Sequence, residues 1–315
     1  MKKTSVQKLL EGRLVGPNEL VRVKETGNIT EIMSMEKMNF KATIKKLNDD
    51  YYEILSTGEV KEFEHIENRT GDMRSIRESL QRLRDYINTN VKKPEYCRWV
   101  TLTYAENMTD SKKLLFDFQN FNKRLRKQYG HYEYITAAEP QGRGAWHLHV
   151  VLIFDGRAPY ISNKDVADAW KQGFVKAKRL DDVDNVGAYL TAYLGDMDLE
   201  EAIKEIGIVQ INEVNFQLKE IETFDDGGNK KKKSILKGAR LHMYPPKFNL
   251  YRCSKGIQKP EIRRMSEAQA QKKVKADTLT FEKAVLITDE KTSYQNTITY
   301  RYYNSVRKKS NLKIE

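Results

Sequence analysis

Cysteine is nearly missing from this sequence. Cys97 and Cys253 are the only two in 315 residues, and one widely spaced pair supports neither a disulfide framework nor a zinc knuckle, which need paired spacings. That usage fits a reducing compartment, and the expected location is cytoplasmic. No run of about 18 apolar residues occurs, as a membrane-spanning helix requires. The basic residues Lys2, Lys3 and Lys8 have no apolar stretch behind them of the kind an export signal carries. Export and membrane spanning are therefore not expected. There is also no internal repeat and no GxxxxGK[ST] loop, so the chain carries no evident ATPase or helicase of its own. Histidine is scarce too: with five in the whole chain, a close pair of them is informative.

What is abundant is positive charge. Lys and Arg number 56 against 44 Asp and Glu, a formal charge of +12, spread along the chain rather than gathered in a tail, while 39% hydrophobic residues can supply a core. Such a balance points to a polyanionic partner, of which nucleic acid is the commonest.

Residues 1 to 70 mix short β-like runs with turn signals, as in Tyr51-Tyr52-Glu53-Ile54-Leu55 followed by Ser56-Thr57-Gly58. From Asp72 the period changes: Ile76, Leu80, Leu83 and Ile87 recur three and four apart, which predicts an amphipathic helix. Arg98 to Tyr104 is β-branched and aromatic and should be a strand. Leu114, Leu115, Phe118, Phe121 and Leu125 mark a second helix. Tyr132 to Ala138 and His147 to Phe154 read as strands parted by Gln141-Gly142-Arg143-Gly144, a spacing that suits a hairpin. Asp165 to Gln172 reads as helix, Phe174 to Leu180 as strand, and Asp184 as the cap of a helix carrying Val186, Tyr189, Leu190 and Tyr193. Lys230 to Lys233, after a Gly-rich stretch, reads as a solvated loop. From Ser266 a polar helix precedes a strand pair around Ala284 to Ile287 and Thr297 to Tyr303. The pattern is α+β, an antiparallel sheet with helices packed on it. The expected domains are a β-rich N-terminal extension (1–70), a main domain (71–260) and a C-terminal helix and strand extension (261–315).

Chemistry concentrates between Glu139 and Val151. Residues two apart on a strand share a face, so His147 and His149 present both imidazoles to one point while Leu148 and Val150 face the core. Two neutral imidazoles so placed can grip a divalent ion, and Glu139 can return across the hairpin as an oxygen ligand. A mixed nitrogen and oxygen set favours Mn²⁺ or Mg²⁺ over structural zinc. By itself a strand HxH pair is more often a surface pair than a metal site. His65, His131 and His242 have no comparable partners. About 40 residues downstream, Tyr189 and Tyr193 are four apart, on one face of a helix. A tyrosine is a competent nucleophile toward a phosphodiester when the phosphoryl group is polarised, although such rings also simply pack in cores.

Motif order and content resemble the HUH endonuclease superfamily, in particular replication initiators of rolling-circle plasmids and filamentous phages. Val100-Thr101-Leu102-Thr103-Tyr104 is similar to its first motif, Trp146-His147-Leu148-His149-Val150 to its histidine motif, and Gly187-Ala188-Tyr189-Leu190-Thr191-Ala192-Tyr193 to its tyrosine motif. The resemblance spans roughly residues 95 to 260 and takes in Arg240 and the basic segment Tyr251 to Gly256. It implies a central five-stranded antiparallel sheet flanked by helices, a metal on His147, His149 and Glu139, and Tyr189 as the nucleophile that forms a 5′-phosphotyrosine link and frees a 3′-hydroxyl. Tyr193 is a second candidate nucleophile. The implied partners are single-stranded or hairpin origin DNA, contacted by Arg143, Arg240, Arg252 and Lys255, with a host helicase and polymerase. One departure stands out: the family's Tyr-x-x-Lys has Ala192 at the lysine position, leaving Arg143 or Lys255 as candidate substitutes. A relaxase or transposase of the same superfamily is the alternative with the same chemistry. A non-catalytic nucleic-acid-binding module is the alternative without it, and that reading calls for aromatics on the sheet face, where the sequence offers the histidines instead.

Overall fold

The computed structural model describes residues 4–37, 43–48, 50–63, 73–180, 187, 196–205, 218–224, 230–236, 238–245, 248–289 and 294–307. The chain divides into two compact units, Met1–His65 with Pro260–Glu315, and Ile66–Lys259. With strands numbered along the chain, the first unit takes β1 (Thr4–Leu9), β2 (Leu20–Thr26) and β3 (Ile29–Met35) from its N-terminal part. It takes β15 (Glu261–Ser266), β16 (Thr278–Asp289) and β17 (Tyr294–Asn304) from its C-terminal part. All six pair antiparallel in the order β1-β16-β17-β3-β2-β15. Three short strands, β4 (Ile44–Lys46), β5 (Tyr51–Ile54) and β6 (Val60–Glu62), form a separate small sheet. The two β-rich ends, read from sequence as separate extensions, thus share one sheet. Local periodicity reports that a strand exists but not which distant strand it pairs with.

A helix at Glu267–Lys273 covers one face of this sheet, started by a capping box in which Ser266 and Gln269 bond each other's backbone. Ala270 and Val274 pack there on Val21, Val23, Ile32 and Tyr303. Its first residue, Glu267, is buried against Arg301 in a bidentate pair, with Nη1 to Oε1 at 2.6 Å and Nη2 to Oε2 at 2.7 Å. Burial alone would raise the Glu267 carboxyl. The hydrogen bonds from Arg301 and Gln271, with the Arg301 charge, outweigh it and hold the group below its ordinary value. The stability this pair contributes is therefore present above the usual glutamate pKa and is lost as pH falls through the lowered one. Arg301→Met leaves a buried carboxylate uncompensated and is expected to destabilise this unit by about 3–5 kcal/mol. Urea unfolding measures it, and a loss below about 1 kcal/mol would show that the pair is not structural.

The second unit is built on a five-stranded antiparallel sheet of β7 (Cys97–Thr103), β8 (Glu133–Pro140), β9 (Trp146–Ile153), β10 (Val175–Arg179) and β14 (Tyr251–Cys253). Their order is β10-β7-β9-β8-β14. One face meets α2 (Ser111–Tyr129) and α3 (Asn163–Trp170). Val100, Leu102, Leu148, Val150 and Leu152 pack there against Phe118, Phe121, Leu125, Val166 and Trp170. On the other face α1 (Met73–Asn90) lays Leu83, Ile87 and Val91 on Ile135, Ala137 and Val151. The sheet is covered by helices on both sides, and the α+β expectation holds. Ile76, Leu83 and Ile87 of the sequence stripe are buried as the period requires. Among the described residues no helix is long and apolar enough to cross a membrane.

One reading is corrected here. Lys230 to Lys233, expected as a solvated loop, begins strand β13 (Lys230–Leu236), which pairs antiparallel with β12 (Leu218–Phe224) and with the short β11 (Met197–Asp198). Register sets Lys232 opposite Glu222 and Ser234 opposite Glu220. A partner strand that is acidic at facing positions suits a lysine run that, read alone, disfavours a strand.

Candidate active site

β9 is the central strand, and its register fixes what gathers around the histidines. His147 lies opposite Thr103 on β7 and Glu139 on β8; His149 lies opposite Thr101 and Ala137. Trp146 anchors the start of the strand. Its ring stacks on Phe248 with centroids 4.6 Å apart, its indole N–H donates to the Thr109 carbonyl at 2.8 Å, and its backbone N–H donates to the Met108 carbonyl at 3.0 Å. With Trp146, Leu148 and Val150 locked in the core, alternation turns both imidazoles to the opposite face, ring centroids 4.5 Å apart. α1 covers that face toward the other end of the strands, around Val151 and Ile135.

Glu139 is buried between two partners: His149 Nε2 lies 3.3 Å from Oε2, and Arg240 Nη1 donates to Oε1 at 3.0 Å. His147 Nδ1 faces Thr103 Oγ1 at 3.5 Å. Burial, and secondarily the neighbouring His149, pushes the His147 ring down to about 4, so it is neutral near pH 7. His147 Nε2 and His149 Nδ1 are buried with no hydrogen-bond partner, a cost rarely tolerated without a purpose. Neutral, desolvated imidazoles are the form that ligates a divalent ion, so the two rings fit one as a nitrogen pair. Glu139 is engaged by His149 and Arg240, and among the described residues no three His, Cys, Asp or Glu side chains converge as a ready ligand set. A carboxylate has about four lone-pair sites, which leaves Glu139 room to serve an ion while Arg240 holds one oxygen.

The structure therefore brings Glu139, His147, His149 and Arg240 together. Arg143 sits in the β8–β9 turn, where its guanidinium donates to the Tyr104 and Ala105 carbonyls and ties the turn to the end of β7. Arg252 lies opposite Thr136, on the face that meets α2, away from the histidines. Lys255 follows β14 beside Glu133, whose carboxylate accepts from the Gly256 N–H. Glu133 pairs with Ile153, six residues along β9 from His147, which is about 20 Å in an extended strand. Neither Arg252 nor Lys255 is at the histidine end, so Lys255 does not stand in for the lysine replaced by Ala192. Tyr189 and Tyr193 lie outside the described residues. Gly187 is described and is buried, its N–H donating to Asn88 Oδ1 of α1 at 2.7 Å.

The sequence model of a known family covers this site. Residues 97–198 match a family of replication-associated proteins, the ORF2 type. No curated protein matches the chain. The matched segment opens on the first residue of β7 and contains Glu139, His147, His149, Tyr189 and Tyr193, while Arg240 lies beyond it. The match places the segment among replication-associated proteins, consistent with a rolling-circle initiator and a DNA partner.

Some of what surrounds the site was not read from sequence. Trp99, opposite Val151, shares the histidine face, its ring 6.0 Å from His149 and capped by the Lys178 ammonium at 4.2 Å. Phe174 and Lys176 share that face through β10. The expectation that this face lacks aromatics is thus corrected. The alternation Phe174-Val175-Lys176-Ala177-Lys178 was visible, but only pairing with β7 decides which face each residue joins.

Gly187 gives a test of how the segment preceding Tyr189 is held. A Cβ there would lie 2.5 Å from the Arg84 carbonyl oxygen and 2.7 Å from Asn88 Oδ1, and a helix backbone cannot move aside cheaply. Gly187→Ala is expected to cost about 1–3 kcal/mol, and Asn88→Ala about 1 kcal/mol, both read by chemical unfolding. A Gly187→Ala protein as stable as wild type would mean that this contact with α1 is not maintained.

Proposed function

We propose that this protein starts DNA replication by nicking single-stranded origin DNA, using Tyr189 as the nucleophile at the His147, His149 and Glu139 site. The observation that carries the reading is the pair of neutral, buried imidazoles with unpartnered ring nitrogens, side by side and facing a carboxylate. The motif resemblance to HUH endonucleases supports it from sequence. A divalent ion, Mn²⁺ or Mg²⁺, held by the two histidines and Glu139, would supply positive charge to the scissile phosphoryl group.

The Tyr189 phenol oxygen bonds to phosphorus and loses its proton, while the bond from phosphorus to the 3′ oxygen breaks and that oxygen gains a proton. The products are a 5′-phosphotyrosine link and a free 3′-hydroxyl from which a host polymerase extends, with a host helicase opening the duplex. Tyr193 is the candidate for a second strand transfer. Arg240, oriented by Glu139, takes the charge-neutralising role that the family assigns to the lysine replaced here by Ala192. A guanidinium presents its donors in a planar fork matched to phosphate oxygens. The neutral His147 leaves the phosphate to Arg240 and the ion, rather than adding a charge that would expel the ion. The cytoplasm is the compartment in which this replication would run.

The test uses the full chain, 3′-labelled single-stranded fragments tiling the replicon that encodes it, and Mn²⁺, with covalent adduct read on a denaturing gel. Wild type is expected to give an adduct that EDTA removes. Tyr189→Phe should abolish it, and an adduct of wild-type yield in that variant moves the nucleophile elsewhere. The His147→Ala, His149→Ala double variant should lose it, and an undiminished yield there ends the metal argument. Arg240→Ala is expected to slow adduct formation about 100-fold, with Arg240→Lys falling between.

A further inference from the structure

The edge strand β10 carries features that the nicking reaction does not use. Alternation sends Val175 and Ala177 to the core beneath α3 and leaves Phe174, Lys176 and Lys178 on the histidine face. Pairing with β7 then places each in a row across the sheet. Phe174, whose carbonyl accepts from the Thr103 N–H, lies in line with Thr103 and His147. Lys176 lies in line with Thr101 and His149, and Lys178 in line with Trp99 and Val151. Phe174 is 67% exposed, and both lysines are exposed. Two interstrand spacings put Phe174 about 10 Å from His147, and the two lysines follow at steps of about 6.6 Å along the strand.

Lysines on an edge strand deter pairing with other sheets, which accounts for Lys176 and Lys178. It does not account for a phenylalanine two-thirds exposed at the head of the same row, since an apolar ring on an edge invites the association that lysines prevent. Nor is Phe174 there through slack in the chain. A Cβ at Gly173 would lie 2.3 Å from the Ala105 nitrogen and 2.6 Å from the Thr103 carbonyl oxygen, so the backbone is pressed against β7 immediately before the ring and fixes its row. An aromatic ring followed by regularly spaced ammonium groups is the combination that holds a single nucleic acid strand: bases stack on rings without sequence preference, and cations track the phosphates. Trp99, half-buried beside Lys178 and His149, offers a second ring in the adjoining strand.

We propose that Phe174, Lys176 and Lys178, with Trp99, form a track for single-stranded DNA along the β10 edge, Phe174 stacking a base beside the His147 end and the lysines taking successive phosphates. The proposal rests on single-stranded DNA being the partner of this face and is independent of whether the strand is cut. The track sets where the strand enters the site, and its sequence tolerance leaves origin choice to contacts elsewhere.

The experiment measures binding of a fluorescent oligothymidylate to the full chain in EDTA, by anisotropy across a salt series, so that nicking plays no part. Phe174→Leu is expected to weaken binding about tenfold with the salt slope unchanged, and Phe174→Tyr to retain wild-type affinity. Lys176→Ala with Lys178→Ala should lower the slope by about 1.4. Lys123→Ala with Lys127→Ala removes the same charge from exposed positions of α2, on the opposite face, and should leave affinity within about twofold. Wild-type binding by the Phe174→Leu and β10 lysine variants, or equal weakening by the α2 pair, overturns the track. Thermal unfolding of each variant checks folding, and Phe174→Tyr separates stacking from packing. Track variants that fail in a wild-type protein giving no covalent adduct would leave this surface standing and sink the nicking reading; normal adduct with unaltered track variants would do the reverse.

Discussion

The register of β9 between β7 and β8 is the constraint on which the site depends. An antiparallel strand has two possible faces for each residue, and a slip of one position would turn both imidazoles into the core and bring Leu148 and Val150 to the surface. Burial of Trp146, Leu148, Val150 and Leu152 against α2 and α3 makes that slip prohibitively costly, since each large apolar side chain contributes about 1.5–3 kcal/mol by leaving water. Trp146 adds two hydrogen bonds to the segment after β7, which set the strand's start as well as its face. The histidines are thus positioned by residues that do no chemistry.

That register also gathers the charges. Glu139 lies opposite His147 because the hairpin is in register, and it reaches His149 diagonally; Arg240 arrives from beyond the sheet to complete its partners. A buried carboxylate alone would be protonated or destabilising. Between an arginine and a histidine it remains an anion, and that anion supports the site electrostatically. His147 is affected in the other direction, with desolvation prevailing over the carboxylate, so the two rings stay a neutral donor pair.

The same sheet face carries two kinds of function in separate strips. The centre holds ligand-type groups, and the β10 edge holds an aromatic ring and ammonium groups suited to a flexible polyanion. α1 fills the rest of the face at the far end of the strands. This division explains why Arg252 and Lys255, basic and close in sequence to β14, play no part at the histidine end: one is turned to the opposite face, and the other sits about 20 Å along the strands.

Sequence alone determined what is written locally. The period of α1, the β-branched run of β7, the hairpin between Glu139 and His147, and the sharing of one face by His147 and His149 follow from spacings of two or of three and four residues, because backbone geometry repeats at those intervals. Only the tertiary structure decided what depends on long-range pairing. It joined the two chain ends in one six-stranded sheet, drew the Lys230 to Lys233 run into a strand in register with Glu220 and Glu222, brought Arg240 to Glu139 across about a hundred residues, and set Phe174 and Trp99 on the histidine face. Pairing between distant segments depends on complementary surfaces and buried area summed over the fold, and no window of the sequence contains that sum.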